Sequence, residues 1–555
     1  MPKIIITSAL PYAEGVPHLG NFVGSILPAD VYYKYLFITG ADAIYICGSD
    51  QHGTPIEVQA MKRGISPKEL ADTVHEQIKE SAKRFGCTFT YYGKTDSEKN
   101  KDVVYEIFDA LDKNGYIKKV EDVQPYCNVD KRFLADRFIE GVCPYCKAEG
   151  ARGDQCDNCG NLLDPDDLID PHCVICGSTD IEFRKTVNLA LDLKKLEPDI
   201  KEFVERNKAN NWSKNAVNKT LSYISQGLKP RDITRDINLG FGVNKKGFED
   251  KKFYVWFDAV IGYIGITGEW TAKWKDYWMG KDTELIQFMG KDNIEFHTMM
   301  WPGILIGSKM GFILPRTIKA YEFMNANGIK FSKSRGVGLN VQNALDIMPA
   351  DYWRFALMHL LPETSDTEFS IAIFIEIVNK IMNDKIGNLV HRVLTIAKNN
   401  YKLLEEGNAD ATITEKTGEM VKGYILNFGR VDMRDALQSL VKLAEFGNEM
   451  MSAKEPWKML KNADERSAAE FSALMNGLLG VVYALGIMLY PFTPDASRKI
   501  LSYFGVKGDG MKGMLNRIAD RPEPRMDIPI TTVFNKVSET ELRKMEKYSG
   551  GERSA

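Results

Sequence analysis

Strand-like segments stop near residue 373 of this 555-residue chain, and the change divides the sequence into two kinds of fold. In the first part, short apolar runs alternate with helical segments, and the runs lie at residues 3–7, 43–47, 253–257, 285–289 and 317–323. This alternation predicts an α/β domain whose parallel, Rossmann-like sheet binds ligand at the carboxyl ends of its strands. In the second part, apolar residues recur at helical spacing, for example between residues 374 and 382, which predicts a helix bundle.

The first helix is expected to span about residues 20–37, after a loop rich in proline and glycine. Gly40 is a suitable end, because glycine readily adopts the left-handed conformation that closes a helix. Pro28 falls inside this helix and predicts a kink, because its ring removes a backbone N–H.

Seven of the nine cysteines lie between Cys127 and Cys176, which indicates metal binding rather than a disulfide framework. Two Cys-x-x-Cys pairs predict a zinc site with four thiolate ligands, namely Cys143, Cys146, Cys156 and Cys159. Four thiolates leave zinc no open position for catalysis, so the metal should fold a small segment that lacks its own core. A redox function would need one such pair rather than two.

Three further cysteines suggest a second metal site, at Cys127, Cys173 and Cys176. Its fourth ligand is open between Asp130, which stands three residues after Cys127, and His172, which precedes Cys173. The sequence therefore predicts one zinc ion and allows a second.

The cysteine-rich segment is interpreted as an insertion that splits the sheet domain, since strand patterns resume after it. The expected order is a first half of the sheet domain, the zinc-knuckle insertion, a second half of the sheet domain, a lysine-motif loop region, the helix bundle and a tail, at residues 1–115, 116–227, 228–324, 325–373, 374–527 and 528–555. Residues 325–328 read Asn-Ala-Asn-Gly and predict a turn. The end of the tail is expected to be disordered.

Composition limits where RNA or a membrane could bind. The net charge of −3 excludes a basic field over the whole surface, so an RNA-binding surface would have to be local. No apolar run reaches the length that spans a bilayer, and residues 478–489 are better explained as part of a buried helix. The N-terminus lacks the features of a secretion signal. These observations predict a cytoplasmic protein that does not bind a membrane.

Two short motifs, far apart in the sequence, suit the binding of a nucleoside triphosphate. His18, Gly20 and Asn21 lie at the expected start of the first helix, where free N–H groups can bind phosphate. Lys330 and Lys333 lie in a glycine-containing segment, and two ammonium groups on a mobile loop can stabilise a leaving pyrophosphate. Alone, the first motif could be a capped helix and the second an exposed basic loop. The indication of ATP chemistry therefore depends on their co-occurrence.

Together the motifs resemble those of class I aminoacyl-tRNA synthetases, and further segments resemble the methionyl-tRNA synthetase family. These segments are residues 9–15 (ALPYAEG), 50–55 (DQHGTP), 253–259 (FYVWFDA), 290–292 (GKD) and 296–297 (FH). The resemblance extends from residue 3 into the helix bundle and covers nearly the whole chain. It implies a split Rossmann-like catalytic domain with a zinc-knuckle insertion, followed by an α-helical anticodon-binding bundle.

The resemblance implies a methionine-binding pocket formed by Leu10, Tyr12, Asp50, Trp256, Ala259, Tyr263 and His297. The chemistry agrees, because Asp50 is an anion for the ammonium group and Trp256 offers a polarizable face to a thioether. Tyr12 and His297 could form hydrogen bonds toward the sulfur. For the aromatic residues alone, packing in a core would be the simpler explanation.

The resemblance also implies which residues bind ATP, namely His18, Gly20, Asn21, Gly290, Lys291, Asp292, Lys330 and Lys333. Four of these would be catalytic by stabilising charge on the phosphates: His18, Asn21, Lys330 and Lys333. No residue needs to act as a covalent nucleophile, and magnesium should accompany ATP.

Four positions in the helix bundle resemble the anticodon-binding residues of the family: Asn388, Arg392, Pro456 and Trp457. Asn388 and Arg392 are four residues apart and share a helix face. Trp457 could stack on an unpaired base while the other two contact base edges. Without the resemblance, a buried tryptophan and a solvated arginine would explain the same residues.

The activity that the resemblance implies is that of a methionine–tRNA ligase. Such an enzyme forms methionyl-adenylate and pyrophosphate from methionine and ATP, and then transfers methionine to the 3′ end of initiator and elongator tRNA(Met). A monomer is expected, since no additional dimerisation domain is evident.

Other classes remain as alternatives. A nucleotidyltransferase would share the first motif but would not need the anticodon positions. An RNA-binding relative without catalysis should have lost some of His18, Asp50, Lys330 and Lys333, and all are present. A synthetase for branched aliphatic amino acids would carry a larger editing insertion, and one for cysteine would place zinc in its active site.

Overall fold

The computed structural model describes residues 2–134, 138–153, 156, 159, 163, 165–326, 329–330, 339–405, 407–459, 464–525 and 527–549. Strands occur up to Thr367–Phe369, and the described elements that follow are all helical. The predicted change of fold near residue 373 is therefore confirmed.

A five-stranded sheet lies at the centre of the first part of the chain. Its strands, in spatial order, are Pro315–Tyr321, Thr283–Gly290, Lys3–Ser8, Ala43–Ser49 and Tyr91–Lys94. All four pairings are parallel. Neighbouring residues face separate cores, with Ile6 and Tyr45 in one cluster and Ile5 and Ile44 in the other. Burial on both faces explains why these strands read as continuous apolar runs rather than as alternating patterns.

Four of the five predicted strands belong to this sheet, but the prediction of a strand at residues 253–257 is wrong. The chain there forms a two-residue strand, Lys252–Phe253, paired with Thr234–Arg235, and then the helix Val255–Trp270. This helix is apolar on nearly every side because it is buried from Val255 to Thr267, apart from Trp256. A short apolar run of this kind does not distinguish a buried strand from a buried helix.

The strand order places a ligand crevice at the first strand. The chain passes from Lys3–Ser8 to strands on one side and later returns to Thr283–Gly290 on the other side. Ligands in doubly wound sheets bind where the strand order reverses, outside the carboxyl ends of the strands. The segments that leave these two strands therefore border the expected crevice.

Helices pack around the sheet. The α-helices are Leu19–Asn21, Leu27–Thr39, Thr54–Arg63, Pro67–Arg84, Glu98–Lys113, Val255–Trp270, Trp274–Trp278 and Trp301–Ser308, with π-helical turns at Phe22–Ile26 and Phe296–Met300 and a 3-10 turn at Lys291–Asn293. Gly40 closes the first helix with φ 78°, as predicted. The irregularity expected from Pro28 takes the form of the π-helical turn just before it, which accommodates the missing N–H.

The inserted segment contains a long antiparallel ribbon and a small knuckle sheet. The ribbon sheet is formed by Arg231–Asp232, Ile181–Leu191, Ile117–Cys127 and Arg132–Phe133, and the knuckle sheet by Ala151–Arg152, Ile139–Val142 and Ile169–Cys173, with a 3-10 turn at Pro165–Asp167. Two helices follow, Leu193–Asn207 and Lys214–Ser225. The first packs closely on Gly303, where a Cβ atom would lie 3.0 Å from Leu193.

A short hairpin carries the start of the lysine motif. Met324–Ala326 pairs with Ile329–Lys330, and Ala326 lies opposite Ile329. Thr367–Phe369 completes this three-stranded sheet. Of the predicted turn at residues 325–328, the first two residues belong to the strand Met324–Ala326, and residues 327 and 328 lie outside the described ranges.

The C-terminal part is a helix bundle. Its α-helices are Ile371–Glu376, Asn388–Asn399, Ala411–Gly429, Met433–Lys454, Pro456–Met459, Glu465–Leu489 and Pro494–Ser502, preceded by Val341–Ile347 and Ala350–His359 and followed by Glu539–Ser549; Ile377–Gly387 is π-helical, and 3-10 turns lie at Tyr401–Leu403, Gly508–Met511 and Met514–Arg517.

One helix and the tail can be compared with what the sequence predicts. Glu465–Leu489 is long and apolar enough to cross a membrane, but 89% of its most apolar window is buried inside the protein, which confirms the expectation of a buried helix. In the tail, Phe534 is buried in the large core. The expected disorder concerns residues 550–555, which lie outside the described residues.

A buried ionic cluster connects three parts of the chain. The Arg354 guanidinium lies 2.7 Å from Asp30 Oδ2, donates to the carbonyls of Pro491 and Phe492, and lies 3.3 Å from the Phe85 carbonyl. Asp30 is part of the first helix, and the two bundle carbonyls follow Glu465–Leu489. Arg354 is fully buried, so its charge is compensated by protein groups rather than by water.

Replacing Arg354 by methionine should destabilise the protein by about 3–5 kcal/mol, because the change leaves the Asp30 carboxylate buried and incompletely paired. Chemical denaturation followed by circular dichroism measures this loss. Arg466→Met removes an exposed pair with Glu470 and should change stability by only about 0.5 kcal/mol or less. Equal stability of the two variants would show that the cluster is not needed for folding.

Candidate functional site

His18 caps the first helix, and two hydrogen bonds with Asn21 fix its orientation. Its Nδ1 accepts a hydrogen bond from the Asn21 N–H at 3.1 Å, and the Asn21 side chain accepts from the His18 N–H at 3.2 Å. This reciprocal cap leaves the opposite ring nitrogen, Nε2, on the side away from the helix backbone. Gly20 lies between the two, within the first turn. The histidine is therefore presented at a helix N-terminus, where anions are favoured.

The chain that follows the lysine motif returns directly to His18. The Leu19 N–H donates to the Leu339 carbonyl at 3.1 Å, and Asn340 pairs with His18. Lys333 lies outside the described residues, as does the side chain of Lys330. The contacts of the first motif with this part of the chain are therefore made by Leu339 and Asn340, the first described residues after the lysine motif.

Asp50 and Tyr12 meet at the carboxyl ends of two neighbouring strands. The Asp50 N–H donates to the Pro11 carbonyl at 2.9 Å, and the Ala13 N–H donates to the Asp50 carbonyl at 2.8 Å. The Asp50 side chain is almost fully buried. Burial and the nearby charge of Asp258 raise the pKa of Asp50 well above its usual value. Asp50 would therefore need a nearby positive charge in order to be ionised at this buried position.

Aromatic rings line the same region. Trp256 stacks on Phe296 with ring centroids 3.7 Å apart, and the ring of Tyr12 meets Trp256 edge-on at 6.0 Å. Phe296 directly precedes His297, but the family resemblance implied no function for Phe296. The π-helical turn Phe296–Met300 brings both residues to the site.

His297 is held as a neutral imidazole. Its Nδ1 lies 3.0 Å from the Asn293 carbonyl, which can only accept, so Nδ1 carries the proton. Nε2 then accepts from the Tyr263 hydroxyl at 2.8 Å. Burial lowers the pKa of His297 to about 4. Because both nitrogens are engaged, His297 in this arrangement orients Tyr263 and has no N–H left for a substrate sulfur.

The remaining pocket residues lie on the same helix and the first loop. Ala259 is buried on Val255–Trp270. At Gly262 of that helix, a Cβ atom would lie 3.5 Å from Leu10 Cδ1 and 3.1 Å from Thr95. Glycine thus allows the helix to approach Leu10 closely, and the predicted pocket residues of the two segments come together.

Gly290, Lys291 and Asp292 leave the neighbouring strand at the crevice. Lys291 forms ion pairs with Glu322 at 2.7 Å and Asp366 at 2.8 Å. These carboxylates hold its ammonium group at the edge of the sheet. A Cβ atom at Gly290 would lie 2.5 Å from Asp292 Oδ1, so a larger residue here would displace the Asp292 side chain.

Two groups of side chains in the insertion are arranged to hold metal ions. The first comprises Cys143, Cys146, Cys156 and Cys159, and the second Cys127, Asp130, Cys173 and Cys176; the ligand atoms within each group lie within 4.8 Å of one another. Sulfur pairs are separated by 3.6–3.9 Å. Tetrahedral zinc with Zn–S bonds of about 2.3 Å requires sulfur separations near 3.8 Å. Between the two candidate fourth ligands, the geometry selects Asp130, whose Oδ2 lies 3.1 Å from Cys173 Sγ.

If both groups bind metal, the purified protein should hold two ions per chain, measured by inductively coupled plasma mass spectrometry. Asp130→Ala should lower the content toward one, because three thiolates alone leave the site incomplete. His172→Ala, a change next to Cys173, is the matched control and should retain both ions. The opposite pattern would make His172 the ligand.

The predicted anticodon residues also cluster. The Arg392 guanidinium lies over the Trp457 ring at 5.2 Å, and 42% of Trp457 is exposed. Asn388 is exposed at the start of Asn388–Asn399, directly after the π-helical segment. Pro456 is buried and starts a short helix that presents Trp457 to solvent. An exposed tryptophan supported by an arginine suits stacking with a base.

Comparisons with known proteins agree with this arrangement. Residues 4–394 match the family described as "tRNA synthetases class I (M)", and residues 403–554 match the "Anticodon binding domain of methionyl tRNA ligase". A methionine–tRNA ligase of Thermofilum pendens is 40% identical over 98% of this chain and 96% of its own length. One from Pyrobaculum calidifontis is equally similar, at 40% over 98% and 96%.

A solved structure shares the fold. Mycobacterium tuberculosis methionyl-tRNA synthetase in complex with methionyl-adenylate has a TM-score of 0.80 with this chain at 21% identity, and the match covers 96% of this chain and 100% of that one. A free-state structure of that synthetase has a TM-score of 0.72.

These findings place the chain among the class I aminoacyl-tRNA synthetases. Within that class it belongs to the methionine–tRNA ligase family.

Proposed function

We propose that this protein is a methionine–tRNA ligase. The methionine carboxylate attacks the α-phosphate of ATP, which gives methionyl-adenylate and releases pyrophosphate. A hydroxyl of the terminal ribose of tRNA(Met) then attacks the adenylate carbonyl and releases AMP. The enzyme supplies positioning and charge stabilisation in both steps.

The observation that carries this proposal is the return of the chain after the lysine motif to His18, through the Leu19–Leu339 hydrogen bond and the pairing of His18 with Asn340. A site for a triphosphate needs donors on both sides of the phosphates. His18 and Asn21 supply them from the helix start, and Lys330 and Lys333 supply them from the loop. Gly290, Lys291 and Asp292 border the nucleotide on the neighbouring strand.

Methionine occupies the adjoining pocket. The Asp50 carboxylate binds its ammonium group, and the thioether lies among the rings of Tyr12, Trp256 and Tyr263. Leu10 and Ala259 complete the wall. His297 supports Tyr263 through the 2.8 Å hydrogen bond between them.

Zinc is the metal that both cysteine groups suit, because thiolates are soft ligands that zinc binds in closed tetrahedral sites. Its function here is to fold the knuckles. Magnesium would accompany the phosphates of ATP and supply positive charge to them.

The anticodon is bound by the helix bundle, through Asn388, Arg392, Pro456 and Trp457. Initiator and elongator tRNA(Met) share an anticodon and would both be substrates. The protein acts as a cytoplasmic monomer with catalytic, insertion, loop, bundle and tail regions bounded near residues 115, 227, 324, 373 and 527.

Exchange of pyrophosphate into ATP should depend on methionine, and leucine or cysteine should not replace it. Exchange driven by either of those amino acids, and not by methionine, would refute the substrate assignment. A plain nucleotidyltransferase would show exchange without any amino acid.

His18→Ser should lower kcat for this exchange by about 10²–10³-fold, because a donor to the developing charge is lost. Serine still caps the helix, so the thermal midpoint should change little. An unaltered kcat would exclude His18 from the site.

Trp457→Ala should lower kcat/KM for tRNA by about 5–150-fold, the equivalent of one lost stacking interaction of about 1–3 kcal/mol. Methionine-dependent exchange without tRNA should remain unchanged, since the residue lies in the bundle. Aminoacylation assays with tRNA(Met) transcript measure the first quantity. Equal losses in both assays would indicate a purely structural function.

A further inference from the structure

His52 lies between two buried carboxylates next to the proposed pocket. Its Nδ1 forms a short hydrogen bond with Asp258 Oδ2, and its backbone N–H donates to Asp50 Oδ1 at 3.2 Å. The ring of Phe241 covers another side of the His52 imidazole, and the centroids of the two rings lie 4.7 Å apart. His52, Asp50 and Asp258 are each exposed by 2% or less. Charges in this place must therefore be compensated by one another rather than by water.

Asp258 is the second buried carboxylate of this cluster. Its Oδ1 is buried and has no hydrogen-bond partner among the residues that the structure describes. The residue lies in the first turn of Val255–Trp270, where the helix dipole favours an anion. Burial raises the pKa of Asp258, and the charge of His52 opposes this effect. Two buried carboxylates this close could not both ionise without a cation.

His52 is that cation. Burial opposes its charge, but the Asp258 carboxylate outweighs burial and raises the pKa of His52 to about 10. On its other side, His52 Nε2 lies 3.7 Å from Asp96. Asp96 is itself paired with Lys68 at 3.1 Å, and that pair is neutral as a unit. The charge at the pocket is therefore set by Asp50, His52 and Asp258.

We propose that His52 and Asp258 form a positioning pair that keeps Asp50 ionised for binding the ammonium group of the amino-acid substrate. The inference rests on the proposed function, which assigns Asp50 to that ammonium. Two carboxylates and one imidazolium have a single net negative charge, and the incoming ammonium neutralises it. Both members of the pair act through Asp50.

The effect of the His52–Asp258 pair should be measurable as a change in how methionine affinity depends on pH. Without the imidazolium, Asp50 and Asp258 share a proton near neutral pH, and ammonium binding has to displace it. Methionine affinity then increases as pH rises, by up to about tenfold per pH unit. If the imidazolium keeps Asp50 ionised in the unaltered protein, as proposed, affinity should be flat between about pH 6.5 and 8.5.

The test uses His52→Gln in the full chain. KM for methionine is measured in pyrophosphate exchange, and binding of two probes is measured by calorimetry at several pH values. The probes are methioninol, which keeps the ammonium, and 4-(methylthio)butanoate, which lacks it. The variant should bind methioninol at least about tenfold more weakly near pH 7 and recover as pH rises. Its KM for ATP and its binding of the deaminated acid should not be weakened.

His75→Gln is the matched control. His75 is also buried, but its Nδ1 contacts the Ser49 hydroxyl at 2.8 Å. Its Nε2 lies 3.6 Å from Glu76, whose side chain is 68% exposed, so His75 does not lie between two buried carboxylates. Any loss in this variant should be independent of pH. If His52→Gln does not fold, His52→Asn provides the same test, because it also removes the imidazolium and leaves both carboxylates in place.

The inference is overturned if the altered proteins lose kcat at every pH while methionine and methioninol affinity show no new pH dependence. The proposed function fails differently. In that case the unaltered protein shows no methionine-dependent exchange, whatever the His52 variant does. A pH-dependent loss of methioninol binding without exchange would support the pair and refute the ligase.

Discussion

The architecture depends on a buried charge, the Arg354 guanidinium, which touches three parts of the chain at once. It pairs with Asp30 of the helix that begins at His18 and donates to the carbonyls at Pro491 and Phe492 that follow the central bundle helix. Lys34 approaches the same carboxylate from within its helix. Such a cluster is stable only when every polar atom finds a partner. The relative placement of the first helix and the bundle is therefore specified by charge as well as by apolar packing.

π-helical turns border the proposed ATP, methionine and anticodon sites. Phe22–Ile26 follows the His18 motif, Phe296–Met300 carries His297, and Ile377–Gly387 directly precedes Asn388. A π turn contains an extra residue and rotates the helix that follows relative to the helix before it. Each rotation changes which side chains face the site. These irregular turns therefore influence which way the proposed functional side chains point. Helix propensity alone does not predict where such turns occur.

The parts of the fold that were predictable from sequence are those encoded locally. Four buried strands and the stop at Gly40 follow from short patterns, and the cysteine spacing indicated both metal groups. The strand predicted at residues 253–257 was wrong because that prediction also relied on a short local pattern. Five consecutive apolar residues fit both a strand and a helix. Contacts across long separations were not predictable. The pairing of His18 with Asn340 and the contact of His52 with Asp258 join segments hundreds of residues apart, and nothing local specifies them.

The insertion is linked to the proposed methionine pocket by a contact of this long-range kind. Arg132, in the hairpin that carries Cys127 and Asp130, pairs with Glu57 at 3.3 Å, and Val58 packs in the core of the knuckles. Glu57 is buried and also accepts from the backbone of Leu239. Both residues belong to Thr54–Arg63, the helix that begins just after Asp50 and His52. These contacts stabilise the start of that helix. Folding of the knuckles therefore also stabilises the residues around the proposed ammonium site.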